Sequence, residues 1–312
     1  MLAVGLLPDE VKQDLARAFA ANFHDALPIP ELIAEARGRD VLLITVNTAL
    51  RADTILSLPP SVKAIATYSV GYDHIDVAAA RARRIAMFYT PDVLTDAVAE
   101  IGMFLLLGAA RRATESIDLI RSRAWPGWNA VQLNGVELLG KKLGILGMGR
   151  IGRAVAQRAR AFGMSIHYHN RARLSAELEL DAAYHRSFAD MAPEIDALAI
   201  AAHSNPESRG FLDGERIALL KPGSIVVNVG RGDLIDDEAL IAALRSGHVR
   251  AAGLDVFNNE PEIDPRYVDL PNVFMLPHIG SSTIETRRRM GGVLIEGLLA
   301  FRNGERPSNR IV

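Results

Sequence analysis

The stretch Lys142-Leu-Gly-Ile-Leu-Gly147-Met-Gly149-Arg-Ile-Gly152 constrains this chain more than any other. A short apolar run over residues 143–146 reads as a buried strand, and it ends on glycines spaced GxGxxG. A helical pattern of Ile151, Val155, Ala159 and Phe162 follows. Strand, tight turn and helix in that order belong to a parallel α/β sheet. Gly147 permits the turn, Gly149 lets the backbone approach a pyrophosphate, and Gly152 lets the helix lie close on the sheet. The helix N-terminus then offers unpaired N–H groups and a partial positive charge to phosphates. The segment Gly147, Met148, Gly149, Arg150, Ile151 and Gly152 is therefore expected to bind a dinucleotide.

The next strand reads Met164-Ser-Ile-His-Tyr-His-Asn170. An NAD-preferring fold places an acid about 20 residues past the glycines, on the ribose 2′-OH. Here Asn170-Arg171-Ala172-Arg173 stands instead, with no carboxylate before Glu177. A guanidinium fork matches a 2′-phosphate in charge and shape. Asn170, Arg171 and Arg173 are thus expected to favour NADP(H), with NAD(H) use left open. His167 and His169 share one strand face but lack an evident third ligand, so no metal site is expected.

At 312 residues the chain exceeds what one compact core usually fills, and two domains are expected. Its 35 Lys and Arg nearly balance 37 Asp and Glu, so nothing points to nucleic acid. The arginine groups at 83–84, 111–112 and 287–289 fall in helical patterns and read as solvent-facing charge. The absence of cysteine excludes disulfides and thiol catalysis. The longest apolar stretch, residues 101–110, is too short to span a bilayer. The N-terminus lacks the basic lead of a signal peptide, so a cytoplasmic protein free of membranes is expected. No GxSxG elbow supports hydrolase chemistry.

In chain order, apolar runs at 2–7, 41–46, 64–68 and 85–89 read as strands buried on both faces. Helices fit 9–20, 29–37, 52–57 and 75–83, which makes residues 1–94 one α/β domain. Thr90-Pro91-Asp92 breaks the alternation, and helices over 95–112 and 114–123 lead into a second domain. Trp125-Pro-Gly-Trp128 ends them and suits a subunit contact or packing within the domain. Further strands are expected at 165–169, 197–201, 224–229, 251–256 and 273–276. Helices are expected at 236–245, with Gly247 just beyond, and at 284–301.

Polar groups collect where three of these strands end, which is where ligands bind in open α/β sheets. Arg231 lies between two glycines after one strand, Glu260 lies in Asp255-Val-Phe-Asn-Asn-Glu-Pro261, and His278 follows Pro277. Taken singly, these are a surface charge, a turn acid and a helix-entry residue. Taken together, behind a dinucleotide turn, they are the cation, carboxylate and imidazole that carbonyl reduction requires.

The motifs resemble those of the D-isomer-specific 2-hydroxyacid dehydrogenase family. Val70-Gly71-Tyr-Asp-His-Ile-Asp76 is similar to its substrate loop, and Thr95-Asp-Ala-Val-Ala-Glu100 to the start of its interdomain helix. The glycine turn, Asn228-Val-Gly-Arg-Gly-Asp-Leu-Ile-Asp236, Asp255 to Pro261, and Pro277-His-Ile-Gly-Ser-Ser282 follow in family order. The Asn170-Arg171 ending looks like that of the NADP-using glyoxylate and hydroxypyruvate reductases.

The resemblance implies two doubly wound parallel-sheet domains. A Rossmann cofactor domain (99–279) would be inserted in a smaller flavodoxin-like substrate domain (1–98 and 280–312). It implies a homodimer built largely through residues 99–140. It implies reduction of a small 2-oxo acid with NADPH, Arg231 gripping the acid, His278 as acid/base and Glu260 orienting it. Backbone N–H groups at Val70 and Gly71 would hold the substrate carboxylate. Thr95, Val229, Gly230, Asp255, His278 and Gly280 would contact the cofactor, Thr95 and Asp255 near the nicotinamide. An NAD-linked enzyme of lactate or phosphoglycerate type shares the pattern, as does a cofactor-sensing corepressor.

Overall fold

The computed structural model describes residues 1–312, which form two compact units: Met1–Leu94 with Ser281–Val312, and Thr95–Gly280. The first unit opens with β1 (Leu2–Val4), α1 (Asp9–Ala18), β2 (Asn22–His24), α2 (Ile29–Glu35) and β3 (Val41–Ile44). It continues through α3 (Ala52–Ser57), β4 (Ala64–Thr67), α4 (Val77–Ala82) and β5 (Ala86–Phe88). All its strands pair in parallel, in the order β2-β1-β3-β4-β5. The central strands β3 and β4 are buried at every position, as a parallel sheet with helices on both faces demands. The edge strand β2 is half-exposed, and its Asn-Phe-His sequence carries no apolar run.

The second unit begins with α5 (Thr95–Ala110) and α6 (Ala113–Arg121). Then come β6 (Lys142–Leu146), α7 (Arg150–Ala161), β7 (Ser165–His169), α8 (Ala176–Glu179), β8 (Ala183–His185) and α9 (Phe188–Met191). The chain continues through β9 (Ala197–Ile200), α10 (Gly214–Ala218), β10 (Ser224–Asn228), α11 (Asp237–Ser246), β11 (Val249–Leu254) and β12 (Val273–Met275). These seven strands form one parallel sheet in the order β12-β11-β10-β9-β6-β7-β8. The chain grows outward from β6 to β8, then restarts beside β6 at β9 and grows the other way. That reversal is the topological switch point at which doubly wound sheets bind nucleotides. Asp236 caps α11 by accepting from the Ala239 N–H, and Gly247 ends it at φ +77°.

The C-terminal helix α12 (Ile284–Arg302) belongs to the first unit. Its buried Met290, Leu294 and Leu298 join a core that includes Leu15, Leu43 and Phe88. A Cβ on Gly291 would lie 2.9 Å from Val11, so α12 rests directly on α1. The tail then adds an antiparallel bridge from Arg310 to Phe88.

The arginine groups are less uniform than their helical pattern suggests. Arg83 donates from Nη1 to the carbonyls of Ile55, Leu56 and Leu58, closing the C-terminal end of α3. Arg112 is bound to Glu115, and burial lowers the pKa of the Arg287 guanidinium.

Candidate active site

Because every strand of the second sheet is parallel, β6, β7, β9, β10, β11 and β12 all end at one edge. The sequence places a loop with polar or glycine residues after each of those ends: some open on them directly, as at Gly147, Asn170 and Asp255, and others reach them after one or two apolar residues, as at Gly230, His203 and His278.

After β6, Gly147 sits at φ +91°, and a Cβ there would lie 2.6 Å from the Ala202 backbone. A Cβ on Gly149 would meet nothing within 4 Å, so the backbone there is open to a ligand. A Cβ on Gly152 would lie 2.4 Å from the Gly147 carbonyl oxygen and 3.1 Å from Ile145. The turn, the open approach and the flush helix that a pyrophosphate cradle requires are thus all present. With Arg150 and Ile151 opening α7, the residues fit a dinucleotide.

At the end of β7, Asn170 stands where an acid would bind a ribose hydroxyl. Its Oδ1 accepts the Met148 N–H at 2.7 Å, tying the strand end to the glycine turn. Arg171 is exposed. Arg173 donates from Nε and Nη2 to Glu179, each at 3.0 Å at its shortest. Glu179 is 5% exposed and also accepts from the Tyr168 hydroxyl at 2.8 Å. The Arg173 hydrogen bond is the main cause that holds the Glu179 carboxyl below its usual range, against desolvation. Glu179 was not singled out from sequence; its signal is an acid six residues after an arginine, across a loop that α8 closes. His167 pairs with His185 instead, ring nitrogen to ring nitrogen at 2.9 Å.

After β10, buried Asn228 shapes the loop from both sides. Its Oδ1 accepts the Gly230 N–H at 2.9 Å, and its Nδ2 donates to the Arg231 carbonyl at 2.8 Å. Arg231 also donates from Nη1 to the Gly230 carbonyl at 2.8 Å. Gly230 must be glycine, since a Cβ would lie 2.7 Å from the Ala202 carbonyl oxygen. Val229 is buried beside it.

After β11 and β12 come the carboxylate and the imidazole. His278 Nδ1 lies 2.6 Å from Glu260 Oε2. The other Glu260 oxygen accepts the Phe257 N–H at 2.8 Å. Burial alone would raise the Glu260 pKa. The His278 and Phe257 hydrogen bonds, with the charges of His278 and Arg231, outweigh that and hold it below the ordinary value. The arginine, carboxylate and imidazole therefore share one electrostatic neighbourhood. Asp255, 2% exposed, accepts the N–H groups of Ile279 and Gly280, each at 2.8 Å. Its own pKa is raised by burial, although those amides and His278 act the other way. Thr95 is the first residue of α5 in the same unit, whereas Val70 and Gly71 follow β4 in the first unit.

A dinucleotide cradle with an imidazole–carboxylate pair and an arginine along the same sheet edge defines a nicotinamide-dependent oxidoreductase. Residues 103–280 match the NAD-binding domain of the D-isomer specific 2-hydroxyacid dehydrogenases. The chain is 45% identical over 266 residues to a glycerate dehydrogenase of Hyphomicrobium methylovorum, covering 85% of this chain and 83% of that one. It is 40% identical over 285 residues to a glyoxylate reductase of Thermococcus kodakarensis, covering 89% and 85%. Among solved structures, an NADPH-dependent glyoxylate/hydroxypyruvate reductase of Sinorhizobium meliloti, in complex with NADP and malonate, superposes with a TM-score of 0.90. Its identity is 31%, with 100% of this chain and 96% of that one covered. The chain belongs to the D-isomer specific 2-hydroxyacid dehydrogenase family. No helix is long and apolar enough to cross a membrane.

Proposed function

We propose that this enzyme reduces a small 2-oxo acid of the glyoxylate or hydroxypyruvate type to the D-2-hydroxy acid, with NADPH as the preferred reductant. The observation that carries the reading is the 2.6 Å pair of His278 and Glu260 beside the charge of Arg231. NADPH, when bound, supplies the hydride. Arg231 binds the carboxylate and carbonyl oxygens of the acid through its guanidinium fork. Glu260 fixes the imidazole ring through Nδ1, which leaves Nε2 of His278 to give a proton to the carbonyl oxygen. Val70 and Gly71 N–H groups bind the substrate carboxylate. Arg171 faces the 2′-phosphate, supported by the missing acid at the end of β7 and by the likeness to an NADPH-dependent glyoxylate/hydroxypyruvate reductase.

The test is NADPH and NADH oxidation with glyoxylate, hydroxypyruvate, pyruvate and phenylpyruvate. The highest kcat/KM is expected with NADPH and the first two acids. No oxidation of either nucleotide with any of the four would refute the reading.

The same proposal includes a homodimer. Phe104, Ile117, Ile120, Trp125, Trp128, Val131 and Leu139 are exposed within residues 99–140, and Trp128 is 85% exposed. Exposed apolar side chains in this number within one stretch of chain support an interface there. Light scattering on the purified protein should give twice the 33.8 kDa chain mass, and a monomer at micromolar concentration would contradict it.

A further inference from the structure

We propose that Thr67, Ser69 and His74 form a hydrogen-bond relay that positions the Val70 and Gly71 amides for the substrate carboxylate. The proposal rests on the reading above that those amides bind it.

The relay runs in one direction. The Gly71 carbonyl can only accept, so the Ser69 hydroxyl donates to it, at 2.6 Å. With that proton committed, Ser69 Oγ accepts from the Thr67 hydroxyl, also at 2.6 Å. Thr67 Oγ1 in turn accepts from His74 Nε2 at 3.0 Å, which places a proton on that nitrogen. Thr67 is 0% exposed and Ser69 7% exposed, so neither hydroxyl can exchange these partners freely for water.

The backbone consequence is specific. The Ser69 carbonyl accepts the Thr90 N–H at 3.0 Å, which fixes the peptide plane that carries the Val70 N–H. The Ser69 hydroxyl fixes the plane of the Gly71 carbonyl. The plane between them, which carries the Gly71 N–H, is thereby held at both ends. Neither N–H is consumed by these bonds. Beyond the loop, Leu50 N–H donates to the His74 carbonyl and Asp76 N–H to the Leu50 carbonyl, both at 2.9 Å. Asp76 then caps α4 through the Ala79 N–H at 2.8 Å. Two successive backbone N–H groups on a braced turn make an anion site. Ser69 is a positioning residue: it acts through the backbone and touches no reacting atom.

The experiment compares glyoxylate with methyl glyoxylate, which keeps the reducible carbonyl and lacks the anion. In Ser69→Ala, KM for glyoxylate should rise about 5- to 50-fold, the scale of one hydrogen bond with its buried partner left unpaired. kcat should stay within about twofold, because the carboxylate is held equally before and during hydride transfer. The inhibition constant of oxamate should rise by the same factor as KM, and KM for methyl glyoxylate should not change. Thr67→Val keeps the buried shape and should give the same pattern with a smaller rise; it decides the matter if thermal melting shows Ser69→Ala unfolded. Equal changes for acid and ester, or no change for the acid, would overturn the relay. If the unaltered enzyme shows the same KM for acid and ester, the amide–carboxylate reading fails and the relay falls with it.

Discussion

At His278 the main chain and the side chain are fixed by different neighbours. The backbone sits at φ +53°, a left-handed conformation that costs a non-glycine residue about 1–2 kcal/mol. The buried Asp255 carboxylate offsets that cost by accepting the next two amides. The ring is then held by Glu260 alone among the bonds described. Replacing Glu260 with Gln keeps the shape and removes the charge, and kcat/KM for reduction should fall about 10- to 1000-fold. The same variant tests stability. The Glu260 carboxyl titrates below its ordinary value of 4.5 in the folded protein. Its ionised form therefore adds stability that is fully present above that value and is lost as pH falls through the folded value. The melting-temperature gap between wild type and Glu260→Gln should shrink as pH falls below about 4.5. Arg171 gives a second prediction. Arg171→Ala should raise KM for NADPH about 10- to 100-fold, the worth of a charge-assisted bond, with little change for NADH; equal effects in steady-state assays would remove its role. Arg231, Glu260 and His278 could be named as candidates from the sequence because each stands in a loop that follows an apolar run. The Glu179 grip on Arg173 was not, since an exposed helical acid and a paired one look alike until α8 is placed.

Elements with a strong period were the readable ones. β7 was expected at 165–169 and α3 at 52–57, and both are found there. The edge strands β2 and β8 were missed for one physical reason. Each is three residues long and half-exposed, so neither carries the apolar run that marks a doubly covered strand. The short helices α8, α9 and α10 lack enough turns to show a 3.6-residue period. The glycine turn supports a paired prediction. Gly152→Ala forces a Cβ to within 2.4 Å of backbone and should destabilise the second unit by about 1–3 kcal/mol in urea unfolding. Gly149→Ala has room for its Cβ and should fold normally. It should nonetheless weaken NADPH binding, measured by fluorescence titration, because the methyl fills the ligand's approach. Reversed outcomes would mean that the two glycines have been given each other's role.

The whole chain leaves its first unit at Leu94 and returns to it at Ser281. Local pattern gave α12 its length but not its partner, because nothing within a helix names the distant core that buries it; the family resemblance supplied that pairing. Truncation after Gly280 would strip Met290, Leu294 and Leu298 from the first core. Each such loss costs about 2–5 kcal/mol, so together they approach or exceed the whole stability of a typical domain. Hydrogen exchange should then show residues 1–94 unprotected, with protection surviving in the second unit; intact protection of both would contradict the assignment of α12. The proposed role of His278 as proton donor in 2-oxo acid reduction has a simple test. The direct measurement is NADPH oxidation with saturating glyoxylate, wild type against His278→Ala, with both proteins shown to bind NADPH. Turnover by the wild type and a loss of about 10²- to 10⁴-fold in the variant are expected. Near-full turnover in the variant would contradict that role.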